Sequence, residues 1–483
     1  MENRHDRSVR NLIELPEMNS SKEIILTTIN AKWIHPSLAL RLLKANLGSL
    51  ENSCEIIEFA LRQPLDEKLE PFLTVRPRIL GVSVSIWNHL ATIELLKELE
   101  KIWADKKPVV VLGGPEVSYL PSDAEIFDYA DHVIRGEGET AFRELCEKIL
   151  QRPYTEARIA NRRFEGELVK TAYHLYSDED VSKKLIYVES GRGCPFNCDF
   201  CLSALDDTIY EFPLEQFLAD MDILIQRGVK TFKFLDRSFN INIPRALQII
   251  GFFLGKIENL YSSSVNSSPN IPFTVHFEMV PSLFPPELLQ ALARFPPGTL
   301  RIEIGVQTLN PQVGALINRP SNPDKELETV RFLREKSGAV IHADLIAGLP
   351  GEDLVSFGKG FDLLWTAGNG VSHHKGRMEI QLGILKRLPG APISRHNDAF
   401  GMRYNPLPPY EIEKTSSVSE EDMRRIKNFA RFWEIIVNRQ LADVGNGDIF
   451  WKFMTFSDEL LARFGRNWGI DKEELRAALG NYI

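Results

Sequence analysis

Leu185-Ile-Tyr-Val-Glu-Ser-Gly-Arg-Gly-Cys194-Pro-Phe-Asn-Cys198-Asp-Phe-Cys201 is the stretch of this 483-residue chain from which the rest can be organised. Its first part is a short apolar run ending in glycine, the pattern of a buried parallel strand. The second part spaces cysteines as Cys-x3-Cys-x2-Cys. The chain holds five cysteines in all, so three within eight residues do not form a disulfide framework, which a chain this long does not need. Three thiolates can hold three irons of a 4Fe–4S cluster and leave the fourth iron open. An open iron can chelate a small molecule through amine and carboxylate groups, as a four-cysteine site cannot. A Cys3His zinc site is the competing reading. It asks for a nearby fourth ligand, and the closest histidines are His174 and His276.

Downstream, strand-like and helix-like segments alternate. PLEQFLADMDILIQRG carries Leu214, Phe217, Leu218, Met221, Leu224 and Ile225 as a helical stripe. Strand-like runs follow at Thr231–Asp236, Phe273–Met279, Leu300–Gln307, Val340–Pro350 and Met378–Leu388, with helical stretches between them. With the cysteine-bearing strand these make six βα-type units. In βα repeats chemistry sits at strand carboxyl ends, where Asp236, Glu278, Gln307 and the turn Gly348–Glu352 should lie.

Upstream, five more apolar runs alternate with amphipathic stretches: Glu23–Ile29, Cys54–Leu61, Ile79–Ile86, Pro108–Gly114 and His132–Gly138. One of the helical stretches, HLATIELLKELEKIWA, presents Leu90, Ile93, Leu96, Leu99 and Ile102 on one face. The pattern predicts an open, doubly wound parallel sheet, which binds ligands beyond the carboxyl ends of its strands. The loops there are unusual: Asn30-Ala-Lys-Trp33-Ile-His35-Pro36, then Ser83-Val-Ser85-Ile-Trp87-Asn88, Gly113-Gly114-Pro115-Glu116 and Gly136-Glu137-Gly138-Glu139. Any one of them reads as an ordinary tight turn. Together on one edge they point to a flat cofactor that backbone must approach closely.

The motif CPFNCDFC resembles that of the radical S-adenosylmethionine (SAM) enzymes, in which an aromatic residue, here Phe200, precedes the last cysteine. The resemblance implies a partial (β/α)6 barrel and a 4Fe–4S cluster held by Cys194, Cys198 and Cys201. The open iron would bind SAM, and reductive cleavage would give a 5′-deoxyadenosyl radical. Phe200, Asp236, Glu303, Gln307 and Ile346 are the candidate SAM contacts. FLDRSFN stands where many members have a Gly-Gly-Glu-like turn, and Asp236 is equally readable as a helix N-cap. EIGVQTLN resembles the fourth-strand segment. Glu303 suggests function if it points inwards and an ordinary surface group if it does not. ADLIAGLPGED resembles the fifth-strand motif whose apolar residue packs on adenine, with a plain core role the alternative for Ile346.

A doubly wound domain directly before such a barrel resembles the cobalamin-dependent branch of this family, over roughly residues 22–390. The implied cobalamin contacts are Asn30, Trp33, His35, Ser83, Ser85, Gly113, Gly114, Pro115, Glu137 and Gly138. Many cobalamin proteins carry Asp-x-His-x-x-Gly after the first strand. Here the loop reads NAKWIHPS, so the lower face of cobalt is expected to be unligated or covered by Trp33 or another side chain, with His35 as the alternative ligand. The fold class is therefore α/β. A Rossmann-like (flavodoxin-like) cobalamin-binding domain spans 22–155, a radical SAM barrel 184–390, and a small, mostly helical domain 391–483.

The implied reaction is methylation of an unactivated carbon of a small-molecule, natural-product-type substrate by methylcobalamin. A cyclase, rearrangement or oxidoreductase outcome without methyl transfer is the first alternative. A non-enzymatic iron–sulfur redox or sensing protein is the second. No catalytic side chain is assigned. The implied partners are the substrate and a flavodoxin- or ferredoxin-type electron donor.

Composition agrees with a soluble globular class: 43% hydrophobic, 25% charged, net charge −9. The acidic balance, with no long basic run, argues against nucleic-acid binding. No apolar run approaches the ~18–20 residues of a membrane span, and residues 1–22 lack a signal-peptide core, so a cytoplasmic protein is expected. Residues 156–183 read as a linker and Tyr261–Asn270 as a solvated Ser/Asn-rich loop. The segment after Pro389 reads as irregular, with His396, Arg403 and Tyr404 near the substrate entrance. A C-terminal aromatic stripe (Met423, Ile426, Phe429, Phe432, Trp433, Ile436, Val437) reads as core packing. Cys54 and Cys146 read as packing residues.

Overall fold

The computed structural model describes residues 22–151, 159–162, 169–205, 208–262, 271–319, 321–369, 375–445 and 447–479. The chain divides into two compact units, Met1–Lys32 with Leu42–Phe164, and Trp33–Arg41 with Glu165–Ile483. The expected Ser/Asn-rich loop falls, from residue 263 to 270, outside the described residues.

The first unit is built on a six-stranded parallel sheet. Its strands are β1 (Ile24–Asn30), β2 (Cys54–Ala60), β3 (Ile79–Ser83), β4 (Val109–Gly113), β5 (His132–Gly136) and β6 (Ile159–Arg162), in the order β2-β1-β3-β4-β5-β6. This is the flavodoxin-like doubly wound order, whose switch point lies between β1 and β3. β6 corrects the linker reading: part of 156–183 is a strand paired with β5, and another part is the helix Asp178–Lys183. That helix is closed by a Ser177–Asp180 capping box. The helix His89–Trp103 buries Ile93, Leu95, Leu96, Leu99 and Trp103, whereas Leu90, expected on the same face, is half exposed. In that same first turn His89 and Thr92 are buried, so the covered face there is turned away from Leu90.

The second unit carries β7 (Ile186–Val188), the ribbon β8 (Gly191–Arg192) with β9 (Tyr210–Glu211), then β10 (Thr231–Phe234), β11 (Thr274–Met279), β12 (Leu300–Gln307), β13 (Val340–Ala347) and β14 (Arg377–Ile384). The sheet order β14-β13-β12-β11-β10-β7 is sequential and parallel, the open (β/α)6 barrel that the six units require. Strand period two separates its faces. In β12 Leu300, Ile302, Ile304 and Val306 are buried under the helices, while Arg301, Glu303, Gly305 and Gln307 face the other way. The apolar face packs an aromatic cluster in which Phe239 stacks on Phe277 at 4.1 Å and Phe234 lies 4.7 Å from Phe277. Fully burying each such ring contributes ~1.5–3 kcal/mol.

The C-terminal region adds the short ribbon β15 (Arg403–Tyr404) and β16 (Ile412–Lys414), then helices Glu420–Trp433, Ile449–Phe464 and Lys472–Leu479. The expected aromatic stripe is core: Phe361, Phe429, Trp433, Phe450 and Phe453 interlock at 4.8–5.7 Å. A π-helical turn, Glu434–Asn438, follows the first of these helices. It brings the Asn438 side chain to the edge strand, where its amide donates to the Ile380 carbonyl at 3.0 Å. One carbonyl on the free edge of β14 is thereby paired.

Candidate functional site

The cysteine loop begins where β7 ends. Gly193, at φ +89°, turns the chain into it, and a Cβ there would lie 1.8 Å from the Thr208 carbonyl oxygen, so no other residue fits. Cys194 and Cys198 are buried and Cys201 is partly exposed. The Cys201 N–H donates to the Cys198 carbonyl at 3.0 Å, which curls the last two cysteines into a turn. Cys194 Sγ lies 3.3 Å from Ser238 Oγ, and the Arg319 guanidinium reaches 3.8 Å from Cys198 Sγ. Cys54 and Cys146 are buried in the other unit, and desolvation pushes the Cys54 thiol up to about 12. Three thiols on one short loop match the donor set of a 4Fe–4S cluster, each thiolate on a different iron.

Asp236 does not cap a helix. Its oxygens accept from the Ser190 backbone N–H at 2.9 Å and the Ser190 hydroxyl at 2.5 Å, tying the end of β10 to the start of the cysteine loop. Burial pushes its carboxyl up to about 7. Phe200 is partly buried beside Cys201 in the loop.

Glu303 faces the barrel interior, as do Gln307 and Ile346, each half-buried and out of phase with the core residues of its strand. The Glu303 carboxylate lies 3.6 Å from Lys233 Nζ and 3.4 Å from His276 Nε2. Burial would raise its carboxyl, but the imidazole and ammonium beside it hold it below the ordinary range. The ammonium is the lasting partner, because desolvation holds His276 down and favours its neutral form. Gln307 ends β12 at φ +68°, beside a register shift between Gly305 and Gln307. A non-glycine residue in that region is uncommon and marks a strained corner.

The inward face holds more than the sequence reading singled out. His276 and His342 stack at 5.6 Å, His342 Nδ1 meets Glu379 at 3.0 Å, and Arg377 pairs with Glu379. Glu278 and Asp344 also face inwards, and neither carboxylate makes a hydrogen bond or ion pair among the described residues. Burial, then the neighbouring carboxylates, pushes Glu278 up to about 7 and raises Asp344 as well. Two unpaired interior carboxylates suit a ligand with ammonium and hydroxyl groups, and the Arg319 guanidinium suits its carboxylate. The signal available in the sequence was strand alternation: His342 and Asp344 share the phase of Ile346.

In the other unit, the candidate residues fall into two groups. Ser83, Gly113, Gly114, Pro115, Glu137 and Gly138 sit at or just beyond the carboxyl ends of β3, β4 and β5. Ser85 is buried, its N–H donating to the Asn88 side chain at 2.8 Å. Asn88, fully buried, also donates to the Ile29 carbonyl at 3.0 Å and thereby joins the ends of β1 and β3. Ser118 joins the next two loops, donating to the Gly114 carbonyl at 2.9 Å and accepting from the Gly136 N–H at 3.1 Å. Asn30 donates to Glu58 at 2.9 Å. Trp87 and Leu90 are each 50% exposed at this edge, with the indole N–H fixed on the Ile29 carbonyl at 3.2 Å. Rigid loops bearing exposed apolar side chains and bare glycine backbone suit a large flat ligand.

Trp33 and His35, by contrast, belong to the barrel-bearing unit. His35 Nδ1 lies 2.8 Å from the Tyr187 hydroxyl, the Ile34 carbonyl accepts from the Leu185 N–H at 3.1 Å, and Lys184 stands 5.0 Å over the exposed Trp33 ring. Of the residues placed near the entrance, His396 lies against the cysteine loop. Arg403 is instead a surface group paired with Glu413 and Glu420, and Tyr404 is buried beneath Arg387.

The radical SAM superfamily model matches residues 188–364, and the B12 binding domain model matches residues 24–146. The chain carries a B12-binding domain followed by a radical SAM domain, the order of the cobalamin-dependent radical SAM proteins. The cofactors of that family are a 4Fe–4S cluster, SAM and cobalamin. The cobalamin-dependent radical SAM methyltransferase TokK of Streptomyces tokunonensis is 27% identical over 384 residues, 72% of this chain and 52% of TokK. The chain thus spans about half the length of the curated relatives it matches. Among solved structures, the radical SAM methyltransferase TsrM of Kitasatospora setae, with cobalamin and a [4Fe-4S] cluster bound, superposes with TM-score 0.57 at 17% identity, over 82% of each chain. The cobalamin-dependent radical enzyme OxsB, with aqua-cobalamin and SAM bound, gives 0.61 at 15% identity, over 95% of this chain and 74% of OxsB. At these identities the cobalamin-dependent radical SAM likeness is one of fold.

Proposed function

We propose that the chain methylates an unactivated carbon of a small-molecule substrate. The observation that carries this reading is the pairing, in one chain, of an open-iron cysteine loop with a cobalamin-type sheet edge. When bound, the cluster and SAM supply a 5′-deoxyadenosyl radical and methylcobalamin supplies the methyl group. Cys194, Cys198 and Cys201 would hold the cluster. Arg319 would meet the SAM carboxylate, and Glu278, Asp344 and Gln307 its ammonium and ribose hydroxyls, with Ile346 against the adenine. Phe200 would shield the cluster, and Asp236 would act through Ser190 by setting the loop. Ser83, Gly113, Gly114, Pro115, Glu137 and Gly138 would present backbone to cobalamin, with Trp87 and Leu90 as apolar contacts.

Electrons would come from a flavodoxin- or ferredoxin-type donor, and reduced cysteines suit a cytoplasmic compartment. Among the described residues no helix is long and apolar enough to cross a membrane. The experiment that tests the reading incubates anaerobically reconstituted protein with methyl-labelled SAM and candidate substrates. A product heavier by one labelled methyl supports it. A modified product without that gain sinks methyl transfer for that substrate and leaves the cyclase or oxidoreductase alternative. Absence of 5′-deoxyadenosine altogether points to a redox or sensing protein.

A further inference from the structure

We propose that Asp199 and His396 form a positioning pair that holds the cysteine loop in its cluster-binding shape, so that the C-terminal region is part of the cluster site. The inference rests on the cluster assignment and adds a role for residues outside the cysteine motif.

Asp199 lies between Cys198 and Cys201 and is 1% exposed. One carboxylate oxygen meets His396 Nε2 at 2.6 Å and the Arg395 guanidinium at 2.7 Å, and the other accepts from Asn318 Nδ2 at 3.1 Å. Its backbone is bound on both sides as well. The N–H donates to the Ile317 carbonyl at 3.0 Å, and the carbonyl accepts from the Ile393 N–H at 2.8 Å. The peptide between two cluster cysteines is therefore knotted to two segments remote in sequence. One is the corner after the helix Pro311–Leu316, whose next residue, Arg319, reaches Cys198 Sγ. The other is the turn Pro392–His396.

A carboxylate this deeply buried is tolerated only while its oxygens are bonded. The loop and the turn must therefore order together: releasing His396 leaves the buried oxygen only the half-exposed Arg395, and the chain relieves that by opening the loop. His396 is buried too, 5.9 Å from the ring of Phe400. Arg395 is half exposed, so its share of the hold is screened by water. Neither Asp199 nor His396 would touch a cofactor; they act by fixing where Cys198 and Cys201 stand.

The test uses the full chain without cofactors, under anaerobic conditions. Iodoacetamide alkylation of each cysteine is followed by peptide mass spectrometry, with buried Cys54 and Cys146 as references for global unfolding. Asp199→Asn and His396→Ala are expected to speed alkylation of Cys198 on the order of tenfold through local opening, while Cys54 stays protected. His396→Gln, which keeps an N–H donor at the right reach, is expected to restore most of the protection, and Arg395→Ala to change it little. After reconstitution, Asp199→Asn is expected to shift the reduction potential and electron paramagnetic resonance spectrum of the cluster. Wild-type rates at Cys198 in both Asp199→Asn and His396→Ala would overturn the proposal. If His396→Ala unfolds, Cys54 reacts as well, and the decision passes to Asp199→Asn and His396→Gln. If alkylation responds as expected but the wild-type chain takes up no iron, the cluster assignment fails and the positioning pair stands.

Discussion

Asp236 and Ser190 are joined twice, once through the serine N–H at 2.9 Å and once through its hydroxyl at 2.5 Å. The carboxylate just beyond the end of β10 thus fixes the residue four positions ahead of Cys194. Asp236→Ala leaves a buried N–H unpaired, which costs ~1–3 kcal/mol. Thermal unfolding of the cofactor-free chain is expected to register that loss, and iron uptake to fall with it.

Each of Cys194→Ala, Cys198→Ala and Cys201→Ala is expected to abolish a full complement of cluster iron and the visible absorbance of the anaerobically reconstituted chain. Cys54→Ala and Cys146→Ala are expected to retain both, since these thiols are buried in the other unit. Iron analysis separates the two sets.

Gly114 has φ +104°, and a Cβ there would lie 2.5 Å from the Val84 carbonyl oxygen. Gly114→Ala is expected to destabilise the chain by ~2–4 kcal/mol and to lower cobalamin uptake. Gly113→Ala meets nothing nearer than 3.7 Å and should be mild. Chemical denaturation and cobalamin absorbance, measured side by side, check the contrast.

Glu352 accepts from Thr308 Oγ1 at 2.7 Å, and its second carboxylate oxygen is buried without a partner. Burial pushes its carboxyl from 4.5 up to about 7. The folded state binds the proton more tightly than the unfolded chain, so this group's favourable contribution is complete below about 4.5 and is lost as pH rises through about 7. Glu352→Gln keeps the acceptor and removes the ionisation. Its stability relative to wild type is expected to grow between pH 5 and 8, by on the order of 2–3 kcal/mol in all. A constant difference across that range would contradict the assignment.

The loop that carries His35 reads NAKWIHPS, without the Asp-x-His-x-x-Gly of many cobalamin proteins. We expect the cobalt(II) form of bound cobalamin to show no nitrogen hyperfine splitting from a protein imidazole, and His35→Ala to leave the spectrum unchanged. Splitting that disappears in the variant would make His35 the lower ligand.

Most of the strand pattern could be read directly, because apolar runs ending in glycine and helical stripes are local signals. β12 begins and ends where its alternation says, at Leu300 and Gln307. β6 escaped notice because four residues, Ile159–Arg162, offer too short a pattern to stand out from a polar linker. Leu90 shows the opposite error: its spacing matches the buried face, but in its turn His89 and Thr92 take the buried positions.

The sequence by itself determined the cysteine loop, the two α/β architectures and the order in which they follow. Ligand spacing within eight residues and hydrophobic periodicity are properties of contiguous chain. Only the tertiary structure decided what Glu303, Asp344 and His342 face, that Asp236 is bonded to Ser190, and that Asp199 meets His396 across 197 positions. Those relationships depend on which strand ends adjoin and which buried oxygens find donors. Chain closure sets both, and no local pattern of residues encodes either.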